Sequence, residues 1–166
     1  MAKLKFLKII NYKITKINLM SESATYQSTG FRFVALLNKK YDTGRLMNIL
    51  AHLTVGLIKQ HSQNLDKLNI SNYLDADGTI HPELSDHPFI ILKADNSNQI
   101  RQLRNKLIES QIYFTDFTNT MIQKSAQEQR EVTSQTKEID FDYLGVCFFA
   151  DNQTAKVLAG KFSIFN

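Results

Sequence analysis

The segment from Gly44 to Gln60, GRLMNILAHLTVGLIKQ, constrains this chain more than any other. Leu46, Ile49, Leu50, Leu53 and Leu57 recur at steps of three and four residues, the repeat of an α-helix pressed against a core. Met47, Val55 and Ile58 carry the apolar cover around much of the circumference. One stripe is left over. Arg45, Asn48, His52 and Gly56 follow at three, four and four residues, so they stand one above another on the helix. Asp42 or Thr43 is placed to cap this helix, and Gly44 permits a tight approach at its start.

The elements around it follow from hydrophobic patterning. Phe31 to Leu37, FRFVALL, predicts the first core strand. A strand feeding such a helix sets the helix start beside the carboxyl end of the strand, where open α/β sheets bind ligands. Arg45 and the free N–H groups of the first turn then favour an anionic group. HSQNLDKLNISN reads as polar linker, and residues 73–82, YLDADGTIHP, as a strand fragment and a turn at DADG. The turn opens like a calcium loop but lacks the later ligands and the closing Glu. Phe89 to Ala94, FIILKA, is a buried strand by its near-continuous apolar run. Asp95 to Ser97 offers caps for a second helix with Ile100, Leu103, Leu107 and Ile108 inward and Arg101, Arg104 and Lys106 in solvent. Gln111 to Thr115 predicts a strand with Asp116 directly after it. SAQEQREVTSQTKE has no strong apolar period and reads as a mobile loop or an exposed helical turn. LGVCFFA, within Phe141 to Ala150, is a buried strand, Asp151 caps a short helix that stops at Gly160, and FSIF closes the sheet. Strands alternating with helices give a three-layer α/β/α sandwich.

A chain of 166 residues, 43% hydrophobic, has room for one real core, assigned to residues 31–166. The single cysteine, Cys147, excludes an intramolecular disulfide and a cysteine-based zinc cluster, and it suits a reducing cytoplasm. No apolar run reaches the roughly eighteen residues that a membrane-spanning helix needs. The formal charge of +4 is carried by the first thirty residues, where Lys3, Lys5, Lys8, Lys13 and Lys16 face Glu22 alone. The remainder holds fifteen basic and fifteen acidic side chains, which argues against an RNA-binding face on the domain. Lys3 and Lys5 alternate with Leu4 and Phe6, so residues 1–30 are expected to form an edge strand or flexible arm, with an amphipathic surface helix as the rival.

FRFVALL, NILAHL, DADGTIHPEL, FIILKAD, TDFTNT and YLGVCFF with its closing GKFSIF together resemble the family of domains of unknown function numbered two thousand, from about Phe31 to the end. That family looks related to the archaeal and eukaryotic type of peptidyl-tRNA hydrolase, which implies a mixed, four-stranded sheet between helices. Carried over residue by residue, the resemblance sets Gly44 on the enzyme's motif glycine and His52 on its histidine. Arg45 replaces the motif lysine and Ile49 the motif glutamine. Asp116 and Thr120 match the ends of the enzyme's Asp-Ala-Gly-x-Thr, while Phe117 and Thr118 replace its Ala-Gly. Arginine cannot give up a proton near neutral pH, and isoleucine cannot orient water.

Two functions compete. One is a pocket at the start of the first helix that binds a small anionic molecule, a nucleotide or a peptide end, through Arg45, Asn48 and Thr120. The other is a hydrolase of peptidyl-tRNA or a related ester, with Asp116 activating water and His52 carrying the proton. Each residue has an ordinary alternative: His52 as a neutral imidazole bonded to a carbonyl, Asp116 as a turn cap, Arg45 as surface. No metal or organic cofactor is indicated. Dimerisation along a sheet edge, with Phe165 and the leader as contacts, stays open.

Overall fold

The computed structural model describes residues 29–122 and 125–166. The expected edge strand or arm at residues 1–30 therefore lies almost wholly outside the described residues.

The sheet is organised around β1 (Phe31–Asn38) and β6 (Tyr143–Asp151). Tyr143 to Ala150 are all buried, the signature of a strand covered on both faces. β1 runs antiparallel to β6, with Ala35 opposite Cys147, and parallel to β4 (Phe89–Ala94), with Phe33 opposite Phe89. β5 (Phe114–Thr118) lies antiparallel on the far side of β6, and β7 (Ser163–Ile164) pairs antiparallel with β4. The order is β5-β6-β1-β4-β7, a mixed sheet of five strands. The resemblance implied four. The fifth is the closing segment, which turns back at Gly160 along the open edge of β4, where the Phe165 amide donates to the Ile91 carbonyl at 2.9 Å.

Alternation along β1 divides the core in two. Phe33, Ala35 and Leu37 point to one face, where α1 (Thr43–Gln60) buries Leu46, Ile49, Leu53 and Leu57. Val34 and Leu36 point to the other, under α2 (Ser97–Glu109), which buries Ile100, Leu103 and Leu107, and α4 (Asn152–Ala159), which buries Ala155, Leu158 and Ala159. Ile108, expected inside, is 49% exposed. Phe165, a proposed dimer contact, is partly buried against the α1 side of its own core. Side-chain caps hold the helix starts: Asp42 accepts from the Arg45 amide at 2.9 Å and Asp151 from the Thr154 amide at 2.9 Å. Gly56 lets α1 sit on β5, since a Cβ there would come within 2.9 Å of Thr115 Cγ2.

Two stretches depart from expectation. The last residues of the polar linker and the strand fragment and turn after it form a longer hairpin, β2 (Ile70–Leu74) with β3 (Ile80–Ser85), which is a second sheet. Asp75 Oδ1 accepts from the Asp77 and Thr79 amides at 2.9 and 2.8 Å, and Gly78 takes a positive φ of 83°, so DADG is a hairpin turn. Its polar composition hid the full extent of the strands. Residues 125–138, read as a loop or exposed turn, contain α3 (Ala126–Gln135), capped by Ser125 and burying nothing. Among the described residues, no helix is long and apolar enough to cross a membrane.

Candidate functional site

The polar stripe of α1 opens onto a hollow of about 230 Å³. Arg45, Asn48, Ile49 and His52 line it from the helix. Phe117 of β5, Met121 and Ile122 of the tight turn Asn119–Ile122, and Gln129 of α3 line it from the other side. The His52 ring lies 6.1 Å from the Phe117 ring, centroid to centroid. His52 is exposed, so the expectation of a buried, carbonyl-bonded imidazole fails: Leu53, its neighbour, takes the core-facing position. Among the described residues, no acidic side chain lines the hollow. Arg45 faces Asp42 at 3.7 Å, but both side chains are about half exposed or more, at 48% and 70%, and water weakens such a pair. Beside this helix start, the Tyr41 hydroxyl donates to Asp142 at 2.5 Å. Burial and that carboxylate push its pKa up to about 12, against the pull of Arg45.

Three of the five residues proposed from sequence therefore meet: Arg45, Asn48 and His52. Asp116 and Thr120 do not join them. The strand begins three residues later than expected, so Asp116 lies inside β5 and not in a loop after it. Within the strand, Phe117 stands opposite Gly145 on the α1 face, and Asp116 opposite Val146 on the α2 face. The sheet separates Asp116 from His52, which rules out their direct cooperation in this geometry. Asp116 instead accepts from Arg104 Nε at 2.5 Å. Thr120 is buried, and its hydroxyl bonds those of Thr118 and Thr133, each at 2.8 Å, tying β5 to α3.

The arginines expected in solvent are structural. Arg104 also lies over the rings of Phe114 and Tyr143, each at 5.7 Å. Arg101 reaches Glu138 Oε1 at 3.1 Å and the carbonyls of Ile139 and Phe141 at 3.0 and 2.8 Å. Tyr143 donates to the same Glu138 oxygen at 3.1 Å, and burial pushes its pKa up to about 12. A signal was present: Phe114 and Asp116 share strand parity, and Arg101 and Arg104 are one helical turn apart. Cys147, wholly buried, is likewise held at about 12 by burial, as suits a core thiol. Among the described residues, no group of three or more His, Cys, Asp or Glu is placed to hold a metal ion.

At the far end of α1, His61 Nε2 is buried without a hydrogen-bond partner among the described residues. The ring stands edge-on to Tyr113 and Phe149, at 5.5 and 5.6 Å. Burial, then the charge of Lys67, holds its pKa below the ordinary 6.5. Below that value the unfolded chain takes up a proton that the folded chain resists. The stability contributed by neutral His61 is thus full above 6.5 and is lost as pH falls towards the folded value. The expected result is a melting midpoint that drops between about pH 7.5 and about pH 5.5, and drops less in His61→Gln. Equal drops in both proteins would contradict this assignment.

No curated protein matches the chain in sequence. A solved structure, that of a protein of unknown function from Agrobacterium tumefaciens strain C58, has the same fold. The match has a TM-score of 0.70 and 17% identity, and covers 82% of this chain and 98% of that one. The family of proteins of unknown function DUF2000 matches residues 31–166, and the chain belongs to that family.

Proposed function

We propose that the hollow at the start of α1 binds a small molecule or chain end through an anionic group, such as a phosphate or a carboxylate. The observation that carries this reading is the lining itself: a cation, an amide and an imidazole on one helical stripe, a second amide opposite, and no carboxylate among the described residues. Arg45 supplies the charge, Asn48 and Gln129 supply hydrogen bonds, and Phe117 with Met121 gives an apolar wall for the rest of the ligand. A nucleotide or a peptide end fits this chemistry. Kinship with peptidyl-tRNA hydrolase is proposed at the level of a sheet layered between helices. The hydrolase reading has less support, because Asp116, its water activator, lies across the sheet from His52.

The test is calorimetric titration with inorganic pyrophosphate and with a nucleoside diphosphate. Arg45→Ala is expected to weaken binding by about tenfold or more, since a hydrogen bond from a charged donor contributes roughly 1.5–3 kcal/mol. Unchanged affinity in Arg45→Ala would overturn the site. Hydrolysis of an N-blocked aminoacyl-tRNA that disappears in His52→Ala would instead support the enzyme reading.

A further inference from the structure

A second cavity, of about 410 Å³, lies on the opposite face of the sheet, beside α4. Its floor is apolar, built from Val34 of β1, Ile90 and Leu92 of β4, and Phe162 after α4. The space exists because α4 presents Ala155 and Ala159, one turn apart and 4% and 2% exposed, where longer apolar side chains would fill it. Among the described residues, the charged side chains at the groove are Arg32 and Lys156, both cationic, and no acidic side chain lines it. Arg32 is held in place, its Nε donating to Asn152 Oδ1 at 2.7 Å. The nearby carboxylate of Asp151 is committed to capping α4.

We propose that this groove is a second binding site, for an aliphatic carboxylate whose tail lies on the apolar floor and whose head meets Arg32 and Lys156. The volume falls within the roughly 300–1,000 Å³ typical of small-molecule sites. An apolar floor selects for chain length, and an all-cationic rim selects the sign of the head group. A nucleotide is disfavoured, because Val34, Ile90 and Leu92, which make up most of the floor, are aliphatic and offer a base no hydrogen-bonding partner. The site is separated by the sheet from the hollow at α1, and neither proposal depends on the other.

The experiment is a titration of the full chain with butyrate, hexanoate and octanoate, followed through the methyl resonances of Ala155 and Ala159. Octanol and octylamine serve as neutral and cationic controls. Affinity is expected to rise about two- to fourfold per added methylene. Octanoate is expected to bind at least about fivefold more tightly than octanol, and octylamine more weakly still. Lys156 is exposed, so Lys156→Gln leaves the fold intact; it should weaken octanoate severalfold and leave octanol unchanged. Ala159→Leu fills the floor and should abolish the chain-length dependence, with folding verified by an unchanged melting midpoint. Alanine methyls that do not respond, equal binding of octanoate and octanol, or full binding in a folded Ala159→Leu protein would each overturn the proposal.

Discussion

Replacing Asp116 with Ala is expected to cost the protein about 2–3 kcal/mol of stability while leaving anion binding at the α1 hollow within about twofold of wild type. The carboxylate and the Arg104 guanidinium are only 20% and 23% exposed, and the guanidinium is further enclosed by the Phe114 and Tyr143 rings. Removing one partner strands the other charge in a poorly solvated place. Breaking a fully buried pair costs roughly 3–5 kcal/mol, and the residual exposure lowers the figure here. The double variant Arg104→Met, Asp116→Leu is expected to regain most of the loss, because an apolar pair of similar volume carries no desolvation cost. Urea unfolding measures the stability and a pyrophosphate titration measures the site. A stable Asp116→Ala protein that no longer binds would contradict the placement of Asp116 across the sheet.

Phe148→Ala is expected to cost more, about 3–5 kcal/mol, from lost transfer energy and the cavity left behind. Phe148 is fully buried in β6, opposite Val34 of β1 on one side and Phe114 of β5 on the other. Neighbours on both flanking strands limit how far the site can collapse. The informative contrast is Ile80→Ala on the β2–β3 hairpin, where the side chain is 62% exposed and the expected change is within about 0.5 kcal/mol. Both values come from the same chemical unfolding experiment. A loss at Ile80 comparable to that at Phe148 would mean that the hairpin is covered in solution.

The burial of β6, β1 and α1 was readable in the chain because each carries its own period. LGVCFFA needs no partner to declare a strand buried on both faces, and Leu46, Ile49, Leu53 and Leu57 define a helix face by their spacing alone. The same spacing was enough to gather Arg45, Asn48 and His52 on one line, and those three do share a hollow. Of the hairpin only a strand fragment and its turn were legible, because Ile70 to Leu74 and Ile80 to Ser85 are largely exposed and no hydrophobic pattern was needed to form it. Asp116 failed for a different reason. A shift of three residues in the start of β5 turned a loop residue into a strand residue, and strand parity then sent it to the far face. Which face a polar side chain occupies depends on strand register, and register is decided by long-range pairing with β6 that local patterning does not encode. The cavity beside α4 is likewise a tertiary product: two alanines read only as helix formers until the sheet is laid beneath them. Sequence by itself determined the α/β alternation, the buried faces and the polar stripe, because these are periodic properties of single segments. Tertiary structure alone decided what the stripe faces, where Arg104 and Asp116 meet, and where the core leaves room for a second ligand, because each requires two segments distant in sequence to be brought into register.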